Sequence, residues 1–210
     1  MQAKNRFFSP TVLWGLLIAT LFSVLALAAG ELRNIRLKGP SATALGQFGS
    51  PGRFTLTDQQ GNPFSSETLR ENIWIADFIF TSCAGICPVM SRQMARLAQK
   101  LPDTVKFISI SVDPDRDTPE VLAQYAQQYG AQFPRWRFLT GPADTLRKIS
   151  MEGFHLGVAE GRDPNEPIMH SSRFILVDGQ GQIRGYYDGT DADAVGKLLK
   201  DVLTLAGKNA

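Results

Sequence analysis

The stretch "IWIADFIFTSCAGICPVMSRQM", residues 73–94, decides how this chain is read. Its first eight residues are nearly all apolar and rich in β-branched and aromatic types, the composition of a strand covered on both faces in a mostly parallel sheet. Pro88 suits the first turn of a helix, and Met90, Met94, Leu97 and Leu101 recur on one helical face. The loop between strand and helix holds both cysteines of the chain, Cys83 and Cys87. Cys87 therefore opens a helix and Cys83 precedes it. A helix N-terminus carries partial positive charge and unpaired N–H groups, which favour thiolate, so both cysteines are expected to be reactive.

The pattern continues on both sides. "VKFISISV" (105–112) reads as a second buried strand, and "DTPEVLAQYAQQYG" (117–130) as a helix with Thr118 as N-cap, Pro119 in the first position and Gly130 as the stop. "WRFL" is a third short strand and "GPADTLRKISMEG" another helix. After the loop "LGVAEGRDPNEP", the run "SRFILVDGQGQIRGYY" reads as a hairpin turned at Gly179 to Gly181, and "DADAVGKLLKDVLTLA" as a closing amphipathic helix. Upstream, "RFTLTD" and the turn "QQGN" suggest a small hairpin, followed by a brief helical or turn segment near "SSETLRE". The order is βαβ followed by ββα, an α/β, thioredoxin-like pattern with an inserted strand and helix and an N-terminal hairpin. A functional site is then expected at the carboxyl ends of the strands, where the loop after Phe80 emerges.

The fold is expected to be preceded by one transmembrane helix. Phe7 to Gly30 contains no charged residue, and about 20 apolar residues suffice to cross a hydrocarbon core. Residues 1–30 are read as a membrane anchor or signal segment, with Ala26-Leu27-Ala28 also fitting a cleavage site. Lys4 and Arg6 ahead of it favour a cytoplasmic N-terminus, which places the rest of the chain on the extracytoplasmic, periplasmic side of the cell membrane. Residues 31–52 are rich in Gly, Ser, Pro and Ala and read as a flexible tether, leaving 53–210 as the working domain. A net charge of +2, with no basic stripe, gives no reason to expect a nucleic-acid partner.

The cysteine pair admits three readings. As a structural staple it would close a ring of only about five residues, which restrains the unfolded chain little. As a redox pair it has a helix N-terminus in its favour, although a dithiol oxidoreductase of this fold usually has two residues between its cysteines and here there are three. As a metal grip it needs another ligand. His155 reads as an ordinary loop histidine. His170 sits immediately before the strand "SRFILVD", whose entry in a thioredoxin-like fold lies across from the cysteine loop. Two thiolates and an imidazole suit Cu(I) through the sulfurs and Cu(II) when nitrogen joins, whereas structural zinc wants four protein ligands.

In "FTSCAGICPVM", "ISVDPDRDTPEVLAQYA" and "HSSRFILVDGQG", with the N-terminal apolar segment, the chain resembles the Sco/SenC family, from about Phe54 to Leu205. These are thioredoxin-like, membrane-tethered copper metallochaperones that help assemble the copper centre of cytochrome c oxidase. The resemblance implies Cys83, Cys87 and His170 as copper ligands, with Cys83 and Cys87 also a redox-active pair, and Asp113 as an acidic residue close to the metal loop. It implies the copper-centre subunit of the oxidase as partner, with another copper chaperone or a thiol reductant upstream, and a binding protein rather than an enzyme. The alternative is a thiol-disulfide oxidoreductase acting through Cys83 and Cys87 without metal. One departure is Ala84-Gly85-Ile86, where the family often carries an acidic dipeptide between the cysteines. Met90 and Met169 are soft donors that read as core material, and Asp117 reads as capping or preceding the following helix.

Overall fold

The computed structural model describes residues 45–156 and 171–207, together with Trp14, Thr20, Ser23 and Val24. The chain divides into two compact units, Met1–Ala44 and Leu45–Ala210. In the first, the four described residues have helical backbone. Among the described residues no helix is long and apolar enough to cross a membrane, and most of the span expected over 1–30 lies outside them.

The second unit is built on β3 (Trp74–Ile79), all six residues of which are buried. It pairs in parallel with β4 (Lys106–Ser111), which pairs in parallel with β5 (Trp136–Thr140). On its other side β3 pairs antiparallel with β6 (Arg173–Val177), which forms a hairpin with β7 (Ile183–Asp188). The expected N-terminal hairpin, β1 (Thr55–Asp58) and β2 (Pro63–Ser65), adds antiparallel to β5, and a 3-10 turn, Ser66–Leu69, follows it. The sheet order is β2-β1-β5-β4-β3-β6-β7. Strands covered on both sides lose the apolar-polar alternation of a half-exposed sheet, which is why β3 reads as a continuous apolar run.

Three helices cover one face: α1 (Ile86–Lys100), α2 (Pro119–Gln128) and, after the short α3 (Ala143–Lys148) on the opposite face, α4 (Ala192–Ala206). They bury Met90, Met94 and Leu97 of α1, Leu122 and Tyr125 of α2, and Leu198 and Val202 of α4 against Ile75, Ile79, Phe107, Phe174 and Leu176 of the sheet. Thr118 caps α2 by accepting from the Val121 N–H, as its position ahead of Pro119 predicts. The other face is covered by the hairpin, by α3 (Ala143–Lys148) and by the π-helical turn Ile149–Gly153 that continues it. That turn delivers the Phe154 ring edge-on to Trp74 and Phe78.

Part of the expected tether is docked. The Phe48 N–H donates to the Ile183 carbonyl and the Ile183 N–H to that of Gly49, extending the sheet beyond β7. Arg184, 2.9 Å from Asp178, also donates to the carbonyls of Leu45 and Gly46. A Cβ at Gly153 would sit 2.5 Å from the Pro51 carbonyl oxygen, so only glycine lets the arm pass there. Low-complexity composition hid this, because the arm is held by backbone hydrogen bonds and by isolated apolar side chains, Leu45 against the core and Phe48 edge-on to Tyr186, that show no period.

Asp77 breaks the apolar run of β3. It is fully buried, and both carboxyl oxygens lack a hydrogen-bond partner. Burial pushes its carboxyl up to about 7. The fold therefore holds a proton there that the unfolded chain releases near pH 4. Stability from this group is full below that value, falls as pH rises to about 7 and then levels off, a loss of about 4 kcal/mol at most. Asp77→Asn is expected to abolish this component. In urea denaturation at pH 4.5, 6 and 7.5 the variant should gain on the native protein at each step.

Candidate functional site

The parallel register of β3 and β4 brings two loops side by side at their carboxyl ends. The first, from Thr81 to Gly85, carries Cys83. The second, from Val112 to Thr118, carries Asp113 and Asp117. The β3–β6 register, in which Ala76 faces Ile175, brings the chain entering β6 to the same edge: by continuation, Ser171 is level with Phe80. This is the neighbour relation expected for the strand that follows His170. His170 itself, like Met169, lies outside the described residues.

Both thiols are free and buried, Cys83 at 8% and Cys87 at 2% exposure. The Cys83 N–H donates to the Phe80 carbonyl at 3.2 Å, which folds the start of the loop into a tight turn. Gly85 is the N-cap of α1, with no side-chain cap, and Cys87 lies in the helix's first turn. The expectation that the helix start favours a Cys87 thiolate is corrected here. Removal from water dominates and pushes the Cys87 thiol well above its ordinary value. A hydrogen bond from the Phe80 backbone lowers it in part, while neighbouring Cys83 and Asp77 push it further up. The helix terminus acts on a sulfur already sunk beneath the surface, where the charged form lacks solvation.

Asp113, expected to end the second strand, lies two residues past its last residue, Ser111, in the loop that follows. It is 6% exposed, its carboxylate lies 3.2 Å from the Arg116 guanidinium, and its N–H donates to the Ser111 hydroxyl. Its charge is thus committed to a partner on its own loop. Asp117 does more than precede a helix. It is fully buried and accepts from the Thr81 N–H, from the Thr81 hydroxyl at 2.5 Å and from the Ser111 hydroxyl at 2.6 Å. Sequence reasoning missed this tie between the loops, although a third aspartate in "DPDRD" just past a strand end was a visible cue. It also passed over Asp77, the one charged residue in a strand otherwise apolar.

Of the remaining sequence-derived candidates, Met90 shares the buried core cluster of the two cysteines and His155 lies outside it. Met90 is buried against Gly189 and the Phe174 region, a core position. His155 is an exposed residue beside Gly49 of the docked arm. Among the described residues no three His, Cys, Asp or Glu side chains gather as a metal cage. What is present is a pair of adjacent sulfur donors, a set that suits a soft monovalent ion.

The sequence profile of the SCO1/SenC family matches residues 43–206. The chain is 34% identical over 153 residues to the SCO1 protein homolog of Bacillus subtilis, covering 71% of this chain and 79% of that protein. Its fold superposes with a TM-score of 0.67 on BsSco, described as a member of the Sco family of cytochrome c oxidase assembly proteins with a disulfide switch. Identity there is 32%, covering 78% of this chain and 97% of the other. Yeast Sco1 with copper bound gives a TM-score of 0.59 at 27% identity, covering 76% and 90%.

The buried, proton-retaining state of Cys87 has a direct consequence, because only thiolate is a good nucleophile. In the folded, reduced protein Cys87 is expected to alkylate with iodoacetamide at pH 7 at least about tenfold more slowly than in urea, with a rate that is still climbing at about pH 9. Peptide mass mapping against time resolves the two cysteines. Equal rates in folded and unfolded protein would contradict the burial described for this sulfur.

Proposed function

The chain belongs to the SCO1/SenC family, and from that premise we propose that it is a copper metallochaperone for the copper-centre subunit of cytochrome c oxidase. The observation that carries the proposal is the pair of free, adjacent thiols at the edge where the chain enters β6 directly after His170. Cys83 and Cys87 are the sulfur ligands in this reading, and His170 is the nitrogen ligand that completes a site for Cu(II). Asp113, bound to Arg116, stands beside the site without ligating. Copper is cargo: a site of two sulfurs and one loop histidine, short of the four protein ligands of a closed structural site, suits handing a metal on better than locking it in.

Proton release accompanies loading. The Cys87 thiol keeps its proton until a soft cation takes its place, which couples capture to loss of that proton and keeps the empty site unreactive towards water-borne electrophiles. Removal of the metal by a partner returns a dithiol. That dithiol can reduce a partner's disulfide to two thiols while Cys83 and Cys87 close to a disulfide, the chemistry of the alternative reading as a thiol-disulfide oxidoreductase. The disulfide switch described for BsSco supports keeping that second reading. The uncharged segment Phe7–Gly30 supports a single-pass anchor that holds the domain on the extracytoplasmic side of the cell membrane.

Titration of the reduced, purified protein with Cu(I) and Cu(II) tests the proposal. One copper per chain is expected, with a thiolate-to-Cu(II) charge-transfer band that Cys83→Ser or Cys87→Ser eliminates. His170→Ala is expected to weaken Cu(II) binding at least about tenfold while Cu(I), held by two sulfurs, changes less. An unchanged Cu(II) spectrum in His170→Ala would remove the third ligand and favour the oxidoreductase reading.

A further inference from the structure

The Asp117 carboxylate is sealed from solvent, and its hydrogen-bond donors come from two separate elements. Thr81, two residues before Cys83, supplies its N–H to both carboxylate oxygens, at 3.3 and 3.2 Å, and its hydroxyl to one of them. Ser111, the last residue of β4, supplies its hydroxyl at 2.6 Å. The same Ser111 oxygen accepts the Asp113 N–H at 3.1 Å, and the Asp117 N–H donates to the Asp113 carbonyl at 2.9 Å. One buried anion thus binds the stem of the cysteine loop to the loop that carries Asp113. Charge-assisted bonds of this kind are stronger than neutral ones, and cutting one leaves a buried acceptor short of a donor.

Downstream of Thr81 only Ser82 to Gly85 lie between this anchor and α1. Ser82, Ala84 and Gly85 are exposed, and a Cβ at Gly85 would meet nothing within 4 Å. Backbone movement of Cys83 towards Cys87 is therefore taken up by that short segment. We propose that Asp117 is the positioning residue of the cysteine pair: by latching Thr81 to the end of β4 it holds Cys83 in its dithiol placement and so biases the pair against closing to a disulfide. The inference rests on reading Cys83 and Cys87 as the reacting thiols and names the residue that sets their balance. Asp117 touches neither sulfur in this scheme. It acts through Thr81, and loosening the stem spreads ring closure over more of the chain.

The test is a redox titration of the metal-free protein in glutathione and dithiothreitol buffers at pH 7, with thermal unfolding measured alongside. In Asp117→Ala and in Thr81→Val the disulfide is expected to become more favourable by about tenfold, a midpoint about 30 mV lower. Thr81→Ser, which keeps the hydroxyl, is expected to return the equilibrium to within about twofold of the native value. If Asp117→Ala does not fold, Thr81→Val with its serine rescue decides. A shift smaller than about threefold, a shift towards the dithiol, or a serine variant that behaves like valine overturns the inference, even where the melting temperature falls, since lost stability alone does not move the potential. No copper is present, so this result and the copper titration fail independently of each other.

Discussion

Everything at the site depends on the pairing of β3 between a parallel neighbour and an antiparallel one. The parallel register with β4 sends two loops out of the same edge, so the turn holding Cys83 and the turn holding Asp113 begin level with each other. The antiparallel register with β6 turns the chain round, so that the start of a strand arrives where the ends of two others leave. A wholly parallel neighbour would deliver the beginning of β6 to the far side of the sheet. This mixed arrangement requires β3 to be buried on both faces, and the helices on one side and the hairpin with Phe154 on the other supply that cover.

Burial then works against charge. Asp77 beneath the site, Cys87 in the first helical turn and Tyr125 of α2, whose hydroxyl is 2.9 Å from that of Ser91, are all pushed up chiefly by loss of water. The helix N-terminus offers a fraction of a charge to a sulfur that has already lost its hydration, and the larger effect prevails. Asp117 is equally buried but is given three donors, and the contrast is instructive. An aspartate that ties two loops together is fully hydrogen-bonded, whereas Asp77, inside a strand whose backbone donors are spent on the ladder, has no well-formed hydrogen bond, and the Ser109 side chain opposite it offsets burial only in part.

The elements legible in the sequence were those whose side chains repeat. The apolar run of β3, the helical face of Met90, Met94 and Leu97, and the Thr118-Pro119 cap announce themselves through period and local chemistry. The cysteine loop was legible too, as was the neighbour relation between its strand and the strand after His170, since both follow from a thioredoxin-like order of elements. Less legible were interactions that join distant residues through polar atoms. The bond from Thr81 to Asp117 spans 36 positions and that from Arg184 to Gly46 spans 138, and neither leaves a periodic trace. Cys87 was misread for a related reason: its place at a helix start is local, but its depth is set by how α1 packs on the sheet.

The loop between the cysteines gains meaning from this geometry. Gly85 has open space where a side chain would be, so the uncharged Ala84-Gly85-Ile86 is no steric necessity. From Ser82 to Ser91 the chain carries no ionised side chain, and the exposed part of this run is small or apolar. The exposed charges of the neighbouring loop are instead those of Asp115 and Arg116, beside the buried Asp113. On the proposed reading, the two loops divide the work of meeting a partner. Long-range orientation falls to the Asp113 loop, because only it projects charge, and close contact over the metal falls to a surface that loses little by desolvation. Since Asp117 binds the two loops into one unit, a partner oriented by the first is already in register with the second.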